Sequence, residues 1–193
     1  MKRTALFAAL TYLFFFNGCG YNQMQQLEEK VFTAWGNLES ALQRRADLIP
    51  NLVSTVKGYA AHERETLESV QRARSEATGI RLDIKDLGNQ QALEKFQQAQ
   101  GSLSGALSRL LAVSERYPDL KADRHFSDLM NQLEGTENRI NVARSRYNET
   151  VNEFNYAIRK FPNSLVNSIA LKLERKEYFK ADEGAKQAPK VEF

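Results

Sequence analysis

The sequence has one cysteine, four prolines, two histidines and little excess charge of either sign. A lone cysteine, Cys19, excludes an internal disulfide framework and every zinc motif built from several thiols. Scarce proline and glycine, with 42% hydrophobic and 26% charged residues, exclude a disordered or loop-rich chain. The 27 basic and 24 acidic residues nearly balance, and setting Lys2 and Arg3 aside leaves 25 against 24. A polyanion-binding protein shows a larger, clustered basic excess, so nucleic acid is not an expected partner. At 193 residues the chain fits a single domain with a sizeable core.

The N-terminus reads as an export signal: Lys2 and Arg3 are the positive start, Ala5 to Phe16 the apolar run, and Gly18 the small residue before Cys19. As a helix that run would span roughly 18 Å, short of the roughly 30 Å hydrocarbon core, which favours a signal peptide over a permanent membrane span. Phe16-Asn17-Gly18-Cys19 resembles a bacterial lipobox, although Phe16 stands where leucine is usual and Asn17 is atypical. That resemblance makes Cys19 the expected lipidation site, and several acyl chains there would anchor stably where one gives marginal binding. An uncleaved signal anchor is the other reading. The expected organisation is a signal peptide over 1–18, an anchor and linker over 19–23, a helical bundle over 24–173 and a tail over 174–193.

Beyond Tyr21 the apolar residues follow a three-four rhythm. Met24, Leu27, Val31, Ala34, Leu38 and Ala41 form one stripe, and Ile49, Leu52, Val56, Tyr59, Leu67 and Val70 a second. Leu93, Phe96, Leu103, Leu107 and Leu110 form a third, and Leu129, Leu133, Ile140, Ala143, Tyr147, Val151, Phe154 and Ile158 a fourth. Each stripe must be buried against another helix. The expected fold is therefore all-α, an antiparallel up-and-down four-helix bundle of long helices preceded by a signal or anchor segment. Its helices fall near 24–46, 48–78, 89–116 and 120–161. Pro50 is read as the start of the second helix, with one long kinked helix as the alternative, because the stripe continues in register from Ala41 through Arg45 to Ile49. Trp35, Tyr59, Phe96, Tyr147 and Phe154 are expected in the core.

Catalytic signatures are missing. His62-Glu63 opens like a zinc-protease helix, but Thr66 stands where the second histidine is needed. Neither histidine follows a glutamate at the spacing of a bundle di-metal centre, and no nucleophile elbow or phosphate-cradling glycine loop occurs. No catalytic residue, metal or cofactor is expected. Arg44, Arg45 and Asp47 cluster near the expected helix end and form the candidate interaction patch. Gly101, Gly105, Ser108 and Ala112 make a small-residue stripe suited to self-association.

The run Ala41–Glu63, ALQRRADLIPNLVSTVKGYAAHE, resembles the signature of the LemA family. Ala73-Arg74, Tyr117 to Leu120, Arg139-Ile140, Tyr147-Asn148, Phe161-Pro162-Asn163-Ser164 and Tyr178-Phe179-Lys180-Ala181 fit the same pattern. The resemblance implies a membrane-attached up-and-down four-helix bundle and implies no activity. Members usually begin with a longer uncleaved transmembrane helix, from which the short signal and Cys19 depart. The function expected is a non-catalytic scaffold or interaction module in the bacterial cell envelope, facing the periplasm or on the outer membrane. Its expected partners are the membrane, a second copy, or another envelope protein. The competing reading is an envelope hydrolase or metal-dependent enzyme whose site is assembled between helices.

Overall fold

The computed structural model describes residues 2–180, with side chains from Gly20 onward. The side chains of the signal segment and of Cys19, the expected lipidation site, and the tail with Val191 and Phe193 lie outside what the structure describes. The described chain is all-helical. Its elements are α1 (Lys2–Tyr59), α2 (Arg64–Gly79), α3 (Gln90–Ser114), a one-turn α4 (Pro118–Ala122), α5 (Arg124–Ala157) and a short α6 (Asn163–Val166). A 3₁₀ turn at Ile84–Gly88 precedes α3, and a π turn at Asn167–Leu171 extends α6.

No turn occurs at Pro50. Helix α1 runs through it to Tyr59, and the chain reverses instead at Ala60–Glu63. The reason lies in packing and in one hydrogen bond. Leu42, Ala46, Ile49, Leu52, Val53 and Val56 are all buried on the same side of α1, so a turn at 47–50 would pull half of that face out of the core. A proline inside a helix leaves the carbonyl four residues back without its donor. Here that carbonyl belongs to Ala46, and the Arg74 Nε–H of α2 donates to it at 2.7 Å. The actual reversal is held by Glu63, whose carboxylate accepts from Arg116 Nη2 at 2.9 Å and from Tyr117 Oη at 3.2 Å, both at the far end of α3.

The remaining boundaries follow local capping. Asp83 and Asp86 form a reciprocal capping box on the 3₁₀ turn. Asn89 caps α3 by accepting from the Ala92 N–H at 3.2 Å. Asp123 caps α5 by accepting from the Phe126 N–H at 2.8 Å, which divides the expected fourth helix into α4 and α5. Gly135 lies inside α5 without interrupting it.

Helices α1 and α5 run antiparallel: Tyr59 reaches Asp123 at one end, while Trp35 meets Tyr147 further along. Helix α3 runs parallel to α1, since Trp35 packs on Phe96 and Glu63 pairs with Arg116. Helix α2 lies against α1 and α3, buried through Leu67, Val70, Ala73 and Ala77. The core falls into two clusters. One, towards the 60–63 reversal, is built on Ile49, Val56, Val70, Leu103, Leu110 and Leu120. The other, towards Gly20, is built on Met24, Trp35, Leu38, Phe96, Tyr147 and Phe154. Four of the five aromatics expected inside are there; Tyr59 is exposed instead, because α1 ends at it and its hydroxyl donates to Asp123 at 2.9 Å.

After the π turn, residues 172–180 run extended along the bundle. Two asparagines of α5, two turns apart, each grip this segment by both amide atoms. Asn155 donates to the Lys176 carbonyl at 2.8 Å and accepts from its N–H at 3.0 Å. Asn148 does the same to Phe179 at 2.9 and 2.8 Å. Phe179 is buried edge-on against Phe96, and Tyr147 Oη donates to the Glu177 carbonyl at 2.9 Å.

Candidate functional site

Between the two apolar clusters lies a polar layer. On α1, Arg45 sits between Leu42 of one cluster and Ile49 of the other; on α3, Gln100 follows Phe96 and precedes Leu103. On α5, Thr136 and Glu137 fall between Leu133 and Ile140. The Arg45 guanidinium is 2% exposed and bridges three helices. Its Nη1 donates to Ser104 Oγ and Glu137 Oε1, both at 3.0 Å, and its Nη2 donates to Gln100 Oε1 at 2.7 Å. Gln100 passes the connection on, donating to the Ala77 carbonyl of α2 at 3.3 Å. Arg45 Nε is buried without a partner. Burying a guanidinium is tolerable only where paired and hydrogen-bonded, so this layer fixes the mutual height of all four helices.

Over this layer and towards Gly20, α1 and α5 leave an open groove of about 1120 Å³ on their outer side. Small residues, Ala34, Ala41 and Ala143, make its floor. Lys30, Arg44, Arg139 and Arg146 rim it, with Glu29 and Glu149 among them. Val142, on the same rim, is 54% exposed.

The three residues expected to form one patch are separated by the continuity of α1. They lie in mid-helix, not at a tip: Arg44 and Asp47 are exposed while Arg45 points inward. Asp47 accepts a hydrogen bond from Gln43 at 2.8 Å, and Arg44 lines the α1–α5 groove. Glu63 is bound to Arg116 and Tyr117. His62 and His125 are both exposed, in the 60–63 reversal and the first turn of α5. Among the described residues no cluster of three or more metal-ligating side chains occurs. On the small-residue stripe, a Cβ at Gly105 would meet only the Arg109 guanidinium, at 3.9 Å.

Sequence reasoning missed Gln100, Ser104, Glu137 and Arg74. A signal existed for two of them: Gln100 and Glu137, like Arg45, interrupt their apolar stripes at one level, with leucine, isoleucine or phenylalanine on both sides. Arg74 could be found only by asking what satisfies the carbonyl that Pro50 strands.

Two shifted titrations mark the end remote from Gly20. The Asp123 carboxyl is held below its ordinary range by the Phe126 N–H, with the Tyr59 hydroxyl adding to it. Tyr59 is raised in turn, first by that hydrogen bond and then by the Asp123 charge. Inside the core, burial pushes the Tyr147 phenol up.

The described residues thus form an all-helical protein with a core split by a polar layer and an open groove between α1 and α5. The profile of the LemA family matches residues 34–193, and the chain belongs to that family. It is similar to magnetosome protein MamQ 2 of Paramagnetospirillum magneticum and to magnetosome protein MamQ of Magnetospirillum gryphiswaldense. Each is 29% identical, over 82% of this chain and 64% of the relative. It is also similar to protein LemA of Metamycoplasma hominis, 28% identical over 79% of this chain and 64% of that protein. The chain thus spans less than two thirds of the length of these relatives.

Proposed function

We propose that this chain is a non-catalytic interaction module of the bacterial cell envelope. It is an antiparallel bundle of α1, α2, α3 and α5, held at a membrane by its N-terminal segment through lipid on Cys19, and faces the periplasm or lies on the outer membrane. The observation that carries this reading is the α1–α5 groove. It is long, floored by small side chains and rimmed by charge, which suits the packing of another helix more than the enclosure of a small substrate. Helix-in-groove binding needs a rigid cleft, and the Arg45 layer supplies rigidity at the end of the groove that Arg44 and Asn138 line. Resemblance of Phe16 to Cys19 to a lipobox supports the anchor.

A photo-crosslinking residue placed at Val142 in the full chain, expressed in its native host, tests the groove. One discrete adduct is expected there and none at Gln98, an exposed position on α3. Equal adducts at both sites, or none at Val142, would remove the groove from the account. Metabolic labelling with a clickable fatty acid tests the anchor: Cys19→Ser is expected to abolish incorporation, and unchanged labelling contradicts lipidation at that residue.

A further inference from the structure

Of the nine large hydrophobic side chains exposed among the described residues, five gather at the Gly20 end of the bundle: Tyr21, Tyr156, Phe161, Leu165 and Ile169. Phe161 is 83% and Ile169 72% exposed. Scattered exposed apolar residues are ordinary, but a concentration on one end marks a surface that something covers. Phe161, Leu165 and Ile169 recur every four residues along the α6 region. The opposite side of that region faces the bundle: Asn163 is buried, its Oδ1 lying 2.6 Å from where a Cβ on Gly20 would stand, and Val166 packs against the lower core cluster.

The segment that carries the patch is cationic, although Glu153 and Glu174 bound it and Glu28 pairs with Lys176 close by. Residues 154–173 contain Arg159, Lys160 and Lys172 and no carboxylate, and residues 20–27 of α1 contain no charged group at all. The Lys160 ammonium lies 5.9 Å from the centre of the Tyr156 ring. Aromatic rings and long cationic side chains around an apolar patch are the composition of a bilayer interface, and cations near an anionic leaflet gain attraction from it. The patch also flanks the point where α1 emerges from the apolar segment Ala5–Phe16.

We propose that the surface formed by Tyr156, Phe161, Leu165 and Ile169, ringed by Arg159, Lys160 and Lys172, docks on an anionic lipid bilayer as a second membrane contact. This rests on the anchored reading above. Lipid at Cys19 holds one end of the chain and leaves its body free to swing; a second contact sets the bundle's tilt. The groove between α1 and α5 would then be presented at a fixed height and angle above the lipid.

The test uses the full chain on vesicles of phosphatidylcholine and phosphatidylglycerol carrying brominated acyl chains, which quench tryptophan on contact. The native chain has one tryptophan, Trp35, buried in the core and about 22 Å along α1 from Gly20, so its emission should be unaffected. Ile169→Trp is expected to lose most of its added emission on these vesicles, Val142→Trp to lose none, and Leu165→Trp repeats the reading from the neighbouring turn. The loss should shrink on phosphatidylcholine alone. If the protein floats with the vesicles while the Ile169→Trp and Leu165→Trp emissions persist, the docking surface is refuted and the anchor stands. If the unaltered chain does not float, the anchored reading fails and this proposal with it. Equal quenching without phosphatidylglycerol refutes the anionic assignment.

Discussion

Arg45 and Arg74 are both stationed beside the Pro50 region, for different physical reasons. Arg74 replaces a missing backbone donor. Its truncation to alanine should cost about 1–2 kcal/mol, since it leaves the carbonyl of buried Ala46 unpaired. In a Pro50→Ala background the new N–H can reach that carbonyl, so the same truncation should cost less, with a coupling of about 1 kcal/mol. Urea denaturation of the four variants measures this cycle; strict additivity would show that Arg74 does not serve the proline. Arg45 is more demanding, because its charge is buried. Gln100→Leu removes the acceptor of Nη2 and the donor to Ala77, and should destabilise by about 2–3 kcal/mol, measured the same way. Glu137→Gln should cost clearly less, since that carboxylate is 38% exposed and water screens it. Equal costs would mean that the ion pair matters as much as the buried amide, contrary to this expectation.

At the scale of the element, capping decided where helices begin, and pH reaches those caps. The depressed Asp123 carboxyl implies stability that is present above its unfolded value and is lost as pH falls through its folded value. The melting temperature of Asp123→Ala should lie below that of the unaltered chain at neutral pH, and the gap should close on acidification through the carboxylate range. A gap independent of pH would contradict the cap. The extended segment 172–180 makes a second test. Asn148→Ala with Asn155→Ala removes four hydrogen bonds to its backbone, so trypsin should cut at Arg175 and Lys176 faster than in the unaltered chain, where these bonds are expected to protect the segment. Mass spectrometry of limited digests reads the outcome; unchanged protection would show that the aromatic contacts of Phe179 hold the segment unaided. Helix content and most apolar faces were legible in the sequence because stripes of leucine and aromatic residues have a strict period. The 47–50 break was misplaced because proline is locally a helix starter, and only Arg74, 28 positions from the Ala46 carbonyl it satisfies, reveals why the proline is tolerated. Asp123 was legible as a cap in type but hidden inside a continuing stripe. The site was less readable: Arg44, Arg45 and Asp47 were expected to form one patch, yet a shift of one residue on a helix separates solvent from core.

Across the whole molecule, α1 acts as a ruler. It carries the N-terminal segment, the apolar and cationic end at Gly20, the groove, the Arg45 layer and the 60–63 reversal in that order along one axis. A groove presented at a set height requires that this helix be unbroken, because a reversal at Pro50 would fold the far half of α1 back alongside the groove. The distance between spin labels at Lys30 and Ser54, introduced as cysteines in a Cys19→Ser background and read by pulsed dipolar spectroscopy, tests that continuity most directly. A single narrow distribution near about 36 Å is expected, from the rise of 1.5 Å per residue. A dominant distance well below about 25 Å, as a chain reversal beside Pro50 would give, would contradict the account.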